Sequence, residues 1–439
     1  MNLDQLKLLF VKAGCAKLYA KPLSPNDNSK NQVYFAGTVE ALNIFPSVQI
    51  FAENTNSGPS FKAQLDFAWL QPDGQAHSAP SAQLILYSQY PEVRFSGFLQ
   101  RCKGAPSALM SARIDKRILF LGVAGRRTFG FVVGPESEVA GEIYSKAPLP
   151  TLGVFIEIEL PNVPSEVDSR NRLLAELKRV HNLGWIDSKQ LDSKRKIKPC
   201  NAPQCGGFTL EAELNIPKNS DSEPDFLGWE IKQYTVTDFD RAESARPITL
   251  MTPEPTGGFY KTHGVEDFIR KFGYTDKRGR EDRINFGGRH FVGLRCSPTN
   301  LTMELTGFDS QSRKVLDAEG EIGLLSNDGE VAASWSFKKI FEHWSRKHMQ
   351  AVYVPSMRRL EPQRQYFYGP KVRLARKTDP VRLLQAFAVG AVYYDPGIKL
   401  EGASSNPETK RRSQFRIPSK RLEEIYESVV TVDLTANPL

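Results

Sequence analysis

Seven short apolar runs in the first 160 residues restrict that part of the chain to a β-rich fold. Each run is rich in β-branched and aromatic residues, and glycine, proline, asparagine or serine separates it from the next. Short runs with such punctuation predict the strands of a barrel or a sandwich. The seven runs are 32–37, 47–51, 63–70, 82–88, 117–123, 128–134 and 154–160.

The pattern changes after a polar segment, 159–169, that contains two prolines. A helical repeat of leucines follows over 169–186, and helical and strand patterns then alternate. A chain of 439 residues is long enough for two or three domains. We therefore predict an all-β domain over 1–160, a linker over 161–168 and an α/β domain over 169–439.

Local patterns predict individual elements within each domain. The first 14 residues are typical of a short amphipathic helix rather than a signal peptide. In the second domain, helices are expected over 263–274, 336–347, 379–390 and 418–429, and strands over 226–235, 289–296, 301–308, 349–356 and 391–395.

No segment has the length of a membrane span. The longest apolar run, 386–394, is less than half as long as the roughly 20 residues that a spanning helix needs. The five cysteines are scattered and include no CxxC pair, so we expect free thiols in a reducing compartment. A cytoplasmic protein with no membrane partner is the expectation.

Positive charge is concentrated in the last quarter of the chain. From Lys338 to the end there are 19 Lys and Arg against 10 Asp and Glu, a net charge of +9, whereas the whole chain carries +8. Aromatic residues interleave with these cations over 358–377 and 410–416. This placement favours nucleic acid over a membrane surface as a partner, and a solvated basic surface is the alternative.

The clearest chemical motif consists of Asp225, four intervening residues, Glu230, one residue and Lys232. Residues two apart on a strand face the same side, so Glu230 and Lys232 project together, and Asp225 can reach them from the preceding turn. Two converging carboxylates make an oxygen-ligand site for Mg²⁺. A lysine beside them can orient or deprotonate a water, or neutralise developing charge. This is the chemistry of phosphodiester hydrolysis.

The surrounding residues favour an active site over the ordinary alternative, a solvated Glu–Lys pair on a strand surface. Apolar residues lie among the charged ones over 225–232 and predict a buried strand. Buried carboxylates are costly unless they have a role. Glu211, fourteen residues before Asp225, lies in a stretch that fits the start of a helix.

These residues together resemble the active-site segment of the MvaI/BcnI family of restriction endonucleases, relatives of the MutH mismatch-repair nickase. The resemblance is strongest over 206–233 and extends over 168–439. It implies a PD-(D/E)xK restriction-endonuclease-like core, which is a mixed sheet flanked by helices. Its further segments are 248–260, 264–274, 283–293, 394–404 and 410–417.

The resemblance also implies a role for each residue of the motif. Asp225 and Glu230 are metal ligands, Lys232 is the catalytic lysine, and Glu211 is a supporting acid on the preceding helix. The implied enzyme is a Mg²⁺-dependent type II endonuclease that acts as a monomer on a short site in double-stranded DNA and cuts one strand at a time. A cognate DNA methyltransferase is its expected companion in bacterial restriction–modification.

The N-terminal domain resembles the B3-like effector domain of EcoRII-type restriction enzymes, which implies a B3-like pseudobarrel. Segments 23–37 and 90–102 resemble its two DNA-clasping arms, and ordinary hydrophilic hairpin loops are the alternative. The combination is similar to monomeric type IIE enzymes, in which one domain binds a copy of the site and the other cuts a copy. The implied DNA contacts are Asn26, Asp27, Asn28 and Lys30 on the first arm and Arg94, Ser96 and Arg101 on the second.

Candidate DNA contacts of the nuclease domain lie in two segments that match the family, 283–290 and 395–416. Arginine and lysine commonly read guanine, and asparagine reads adenine. Contact with phosphate alone is the alternative for each residue, and a structural role is the alternative for His290. The candidates are Asp395, Lys399, Arg411, Arg412 and Arg416, together with Arg283, Asn285 and His290.

The predicted function is therefore sequence-specific DNA cleavage by an endonuclease that also carries an effector-binding domain. Relatives of both domains recognise CCWGG-like or CCNGG-like targets, so such a site is expected. Two alternatives stay open: a MutH-like strand-nicking repair enzyme, and a DNA-binding regulator with an inactive nuclease core. The extra DNA-binding domain argues against the first alternative, and the intact catalytic motif argues against the second.

Overall fold

Two compact units make up the chain in the computed structural model, Met1–Ser169 and Arg170–Leu439. The structure describes residues 1–25, 31–36, 44–55, 58–87, 92–146, 149–161, 166–217, 225–240, 246–277 and 279–436. No helix in these ranges is long and apolar enough to cross a membrane.

The N-terminal unit is built on one long sheet. Its strands are β1 (Lys17–Leu23), β2 (Val33–Ala36), β3 (Ser47–Thr55), β4 (Gly58–Leu70), β5 (Ala76–Ser78), β6 (Gln83–Tyr87), β7 (Glu92–Ser96), β8 (Arg117–Ala124), β9 (Arg127–Val133), β10 (Thr151–Leu152) and β11 (Phe155–Ile158). They follow the order β10-β11-β1-β8-β9-β4-β6-β7-β2, and β3 and β5 also pair with β4. Each of the seven predicted runs overlaps one strand. Of the four strands outside those runs, β1 lacked a clear signal because Lys21 and Pro22 interrupt its apolar pattern.

Three short helices accompany this sheet in the described residues, so the unit is mainly rather than wholly β. They are α1 (Leu3–Lys12), α2 (Ser107–Ser111) and α3 (Glu138–Ser145). The predicted N-terminal helix is confirmed as α1, which begins with a capping box between Asn2 and Gln5. Its buried Leu6 and Phe10 join the core beneath β1 and β8.

The C-terminal unit is built around a mixed six-stranded sheet. Its helices are α4 (Glu166–Asn182), α5 (Cys205–Glu213), α6 (Phe259–Phe272), α7 (Phe337–Lys347) and α8 (Pro380–Ala388). The sheet contains β12 (Ile186–Asp187), β15 (Glu230–Thr235), β25 (Gln350–Arg359), β26 (Gln365–Tyr368), β27 (Lys371–Arg376) and β32 (Ser428–Asp433). The order is β12-β26-β25-β27-β32, and β15 pairs with β25 in parallel. Antiparallel pairing elsewhere makes the sheet mixed, as the sequence predicted.

Five smaller sheets surround this one in the described part of the unit. Two hairpins are β13 (Lys189–Leu191) with β14 (Ile197–Pro199), and β21 (Phe308–Asp309) with β22 (Lys314–Val315). A three-stranded sheet has the order β16 (Ile248–Met251), β31 (Phe415–Ile417), β28 (Tyr393–Tyr394). One four-stranded sheet has the order β17 (Tyr274–Thr275), β18 (Arg283–Gly287), β29 (Gly397–Glu401), β30 (Glu408–Lys410), and the other β19 (Arg295–Cys296), β20 (Leu301–Thr306), β23 (Glu321–Leu325), β24 (Val331–Ser336).

Helices cover both faces of the six-stranded sheet. On one face, Leu177 of α4 and Leu210 of α5 share a buried core with Ile231 of β15. On the other face, Tyr353 of β25 packs edge-on against Tyr426, which also contacts Trp344 of α7. Side chains alternate between the two faces along β15 and β25. Glu230 and Lys232 therefore lie on the face that is covered by α7, opposite to Ile231.

Two sequence predictions of secondary structure are wrong. The segment 418–429 is not an α-helix: it forms a 3₁₀ helix, Ser419–Glu424, and then enters β32, whose β-branched valines pair with β27. The predicted strand over 289–296 reduces to β19, because Gly288 and Gly293 adopt positive φ and interrupt an extended chain.

The expectation of free thiols is wrong for one pair of cysteines. Cys200 and Cys205 form a disulfide across a short loop between β14 and α5. Their spacing along the chain carried no CxxC signal, but the loop returns on itself and brings the two Cα atoms to 5.7 Å. Cys15, Cys102 and Cys296 are free thiols, as expected.

Division of the chain near residue 165 is expected to give two folded pieces, because each unit has its own apolar core. Thermal unfolding of fragments 1–165 and 166–439 should show one cooperative transition each. The second fragment should retain DNA cleavage, since all four candidate catalytic residues lie within it. An aggregated or inactive 166–439 fragment, beside an active full chain, would show that the units depend on each other.

Candidate active site

A tight turn separates Asp225 from Glu230. Phe226 and Trp229, the first and last residues of the turn, exchange backbone hydrogen bonds of 3.0 and 2.8 Å. The two central residues, Leu227 and Gly228, have φ angles of 49° and 87°, as in two-residue β-hairpin turns. The turn folds Asp225 back against β15, where its Oδ2 accepts a hydrogen bond from the Ile231 N–H at 3.0 Å.

β15 then places Glu230 and Lys232 side by side. Nζ of Lys232 lies 2.5 Å from Oε1 of Glu230, whose side chain is buried. Burial of the ammonium group lowers the pKa of Lys232. The charges of three carboxylates, those of Glu230, Asp225 and Glu211, outweigh this effect and raise the pKa. Ile231, between the pair, points into the opposite core, as the period of a strand requires.

Glu211 is supplied by α5, and a glycine allows this helix to approach the sheet closely. A Cβ on Gly206 would lie 2.7 Å from Oε1 of Gln233 on β15. The Gly206 carbonyl also accepts a 2.7 Å hydrogen bond from the Tyr368 hydroxyl. In this position the charge of Glu211 acts on Lys232. The structure therefore brings together all four residues that the sequence predicts for catalysis.

The oxygen donors of this site fit a hard divalent cation. Within the described ranges, no three His, Cys, Asp or Glu side chains converge as a ready-made metal site. Asp225 and Glu230 are two carboxylates, each with one oxygen already oriented by a neighbouring N–H donor. Mg²⁺ is commonly held by one or two carboxylates, with water and substrate phosphate at its other positions.

His348 is a buried neighbour of this site that the sequence analysis did not identify. Its ring stacks on Trp344 with centroids 4.1 Å apart, and its Nε2 lies 3.2 Å from the carbonyl oxygen of Leu250. Burial, and then the charge of Lys232, lower the pKa of His348 to about 3, so the ring is neutral. The i, i+4 spacing from Trp344 was the only sequence signal for this stack.

Predicted DNA contacts gather on the four-stranded sheet that contains β18 and β29. Asn285 lies directly opposite Lys399, so their side chains share one face with Arg283. Partial burial lowers the pKa of Lys399, and the charges of Arg283 and Arg412 lower it further. Nδ2 of Asn285 donates to Asp276 at 2.9 Å, which orients its amide. Arg283 is largely buried, and its guanidinium lies 3.8 Å from Asp276 and 3.9 Å from Glu401, so cations, carboxylates and one oriented amide are present here together.

Two other predicted contacts bind each other. Nη1 of Arg416 lies 2.7 Å from Oδ2 of Asp395, and both side chains are about four-fifths buried. Arg416 also donates to the carbonyl of Pro247. Arg411 and Arg412, by contrast, are exposed just before β31. The Arg416–Asp395 ion pair thus links β31 to β28, and the bond to Pro247 links β31 to β16. Arg411 and Arg412 face solvent.

His290 lies inside the C-terminal unit and has a structural role rather than a role in DNA contact. Its side chain is fully buried, and its Nε2 lies 2.9 Å from Oγ1 of Thr299. Burial lowers the pKa of His290 to about 4. Its backbone pairs with Tyr394, so the residue joins the loop after β18 to β28. In this conformation the side chain presents no atom to DNA.

The second predicted arm of the N-terminal unit includes β7. Nη2 of Arg94 lies 2.7 Å from Glu92, Nη1 donates to Gln32 at 3.3 Å, and the guanidinium lies over the ring of Tyr87. Ser96 ends the same strand, and Arg101 is exposed in the following turn. Asn26, Asp27, Asn28 and Lys30 of the first arm lie outside the described residues.

The mixed sheet with its flanking helices is that of a restriction-endonuclease-like fold. The sequence model of the MvaI/BcnI restriction endonuclease family matches residues 174–426. The chain belongs to this family, whose members are site-specific deoxyribonucleases.

Solved structures of one enzyme are similar to the chain. The restriction endonuclease MvaI in complex with cognate DNA is 18% identical, with a TM-score of 0.45, and the match covers 61% of this chain and 99% of MvaI. MvaI in the absence of DNA is 17% identical over the same shares, with a TM-score of 0.33. No curated protein matches the chain.

Proposed function

We propose that the chain is a Mg²⁺-dependent type II restriction endonuclease that cuts double-stranded DNA at a short CCWGG- or CCNGG-like site. The observation that carries the proposal is the assembly of Asp225, Glu230, Lys232 and Glu211 at one edge of the mixed sheet. We also propose that it acts as a monomer in the cytoplasm, beside a DNA methyltransferase that protects the host site.

Each residue of the site has a defined part in hydrolysis. Asp225 and Glu230 would hold the cation, which supplies charge stabilisation at the scissile phosphate when bound. Lys232, adjacent to Glu230, would orient the attacking water or neutralise charge that develops on the phosphate. Glu211 adds a third negative charge that favours the cation and keeps Lys232 protonated.

The four-stranded sheet that contains Lys399, Arg283 and Asn285 supplies the proposed recognition surface. Lys399 suits acceptors on guanine, and the oriented amide of Asn285 suits adenine. Arg283, which is held by Asp276 and Glu401, supports this surface in the proposal. Exposed Arg411 and Arg412 suit phosphates, which position a protein without specifying sequence. Arg416 and Asp395 form an internal pair, so in this proposal they hold the recognition segment rather than read DNA.

The N-terminal unit is proposed to be a B3-like effector domain that binds a second copy of the site. Arg94 carries this part of the proposal, because it lies on a predicted DNA-clasping arm. Its charge is already balanced by Glu92, so a contribution to DNA binding must come from a specific contact rather than from bulk attraction.

Arg94→Ala in fragment 1–165 is expected to weaken binding to the cognate duplex by about 1–3 kcal/mol if the arginine reads a base. Discrimination against a scrambled duplex should fall with it. Fluorescence anisotropy on both duplexes at two salt concentrations measures the effect. Arg127→Ala removes another ion-paired arginine of the same unit and serves as the control. A fragment that binds neither duplex would remove the effector-domain proposal and leave the nuclease proposal standing.

Incubation of a supercoiled plasmid with the purified chain and Mg²⁺ tests the nuclease function directly. Discrete linear fragments support restriction. Nicked circles that persist would instead support the strand-nicking repair enzyme, and an unchanged plasmid would support the inactive regulator. Each outcome gives a different band on one agarose gel.

A further inference from the structure

A basic hairpin beside the active site lies outside all the segments with predicted DNA contacts. Strands β13 and β14 and the turn between them span 189–199, which contain five Lys or Arg against one Asp. Lys189 and Lys198 are ion-paired with acidic neighbours. In the described part of the chain, the side chains of Lys194, Arg195 and Lys196 at the exposed tip form no ion pair.

Three kinds of link fix this hairpin to α5, the helix that carries Glu211. Oγ1 of Thr209 accepts from the N–H of Lys189 and donates to its carbonyl, both at 3.1 Å. Nζ of Lys189 lies 2.5 Å from Oε1 of Glu213. The disulfide then closes the loop from β14 to α5. The hairpin therefore moves with the active-site helix rather than as a loose loop.

Helix α4 is also fixed to α5, and it carries a second exposed arginine, Arg172. Arg179 reaches α5 by donating to the backbone carbonyl of Glu213 at 2.6 Å. Arg172, two turns earlier on this helix, is exposed and forms no ion pair among the described residues. Arg172 and Arg195 thus both lie on elements that are fixed to α5.

The two arginines line one cavity together with Asp225. The cavity has a volume of about 300 Å³, and its other lining residues are Asn215 and the mainly apolar set Leu214, Ile216, Pro217, Phe226 and Leu227. A candidate metal ligand and two cations therefore share one cavity, beside an apolar part of its wall. A group held in this cavity would lie against Asp225, a proposed metal ligand.

We infer that Arg172 and Arg195 form a clamp for the DNA backbone, which binds a phosphate adjacent to the scissile one. The inference rests on the proposed function and adds a binding site to it. A phosphodiester matches the two unpaired guanidinium groups in charge and in hydrogen-bond geometry. Because the clamp is fixed to the helix of Glu211, it would set the position of the strand relative to the catalytic carboxylates.

The test compares Arg172→Gln, Arg195→Gln and the double variant with the wild-type full chain. Affinity for a 24-base-pair duplex is measured without metal at a series of salt concentrations. Each lost phosphate contact lowers the slope of log Kd against log salt by about 0.9, so the double variant should lose about two units. Lys178→Gln is the matched control, because Lys178 is exposed on α4 away from the cavity and should leave the slope unchanged.

Single-turnover cleavage of plasmid by the same proteins gives the second reading. The double variant should cut at least about tenfold more slowly at saturating enzyme, because the strand is held less accurately. A wild-type chain that cuts, beside a double variant with unchanged slope and rate, would overturn the clamp alone. A wild-type chain that neither binds nor cuts DNA would overturn the proposed function, and the clamp with it.

Discussion

Asp225→Asn and Glu230→Gln are each expected to reduce DNA cleavage by about a thousandfold or more while leaving DNA affinity nearly unchanged. Both carboxylates are proposed metal ligands, and a catalytic metal contributes several kcal/mol to transition-state stabilisation. About 4 kcal/mol corresponds to a thousandfold change in rate. Single-turnover cleavage of plasmid at saturating enzyme measures the loss, and anisotropy with a labelled duplex measures affinity.

Asp238→Asn is the matched control for these variants. Asp238 is an exposed aspartate just beyond β15, and its carboxylate accepts only a local backbone hydrogen bond among the described contacts. It should cleave at the wild-type rate. Near-normal cleavage by Asp225→Asn or Glu230→Gln would show that the metal ligands lie elsewhere.

Lys232→Met is expected to lower the free energy of unfolding by about 3–5 kcal/mol in the absence of metal, besides abolishing cleavage. Three carboxylates act on this one ammonium group, and Glu230 is only 4% exposed at its side chain. Loss of the lysine leaves a buried negative charge without its partner. Chemical denaturation monitored by tryptophan fluorescence measures the change.

Glu230→Gln should lower the free energy of unfolding far less than Lys232→Met does, because the carboxylates of Asp225 and Glu211 still balance the charge of Lys232. The double variant Glu230→Gln/Lys232→Met should recover most of the stability that Lys232→Met loses. Addition of Mg²⁺ should also restabilise Lys232→Met, since a cation replaces the missing charge. Equal stability of Lys232→Met and wild type would argue against a tightly coupled acidic site.

The catalytic constellation could be predicted because its geometry is local. Glu230 and Lys232 share a strand, and strand periodicity alone places them on one face. Asp225 needs only the tight turn, whose Gly228 is visible in the sequence. Glu211 required the family resemblance, since no local rule indicates how α5 packs against β15.

The surroundings of the site depend on contacts between distant segments, so they could not be predicted. His348 reaches the Glu230–Lys232 pair through the packing of α7, 116 residues after Lys232 along the chain. The basic hairpin gives no distinct signal in the sequence, because its five cations are few beside the 19 of the C-terminal quarter. The 3₁₀ segment before β32 shows the same limit, since its helical pattern yields to pairing with β27.

The most direct test of site-specific cleavage is to digest a bacterial genome with the wild-type chain and Mg²⁺ and to sequence the ends of the fragments. Glu230→Gln, under identical conditions, provides the background. We expect ends that share one short, near-symmetric sequence of the CCWGG or CCNGG type, with no such ends from the variant. Ends without a common sequence, or the same ends from Glu230→Gln, would contradict it.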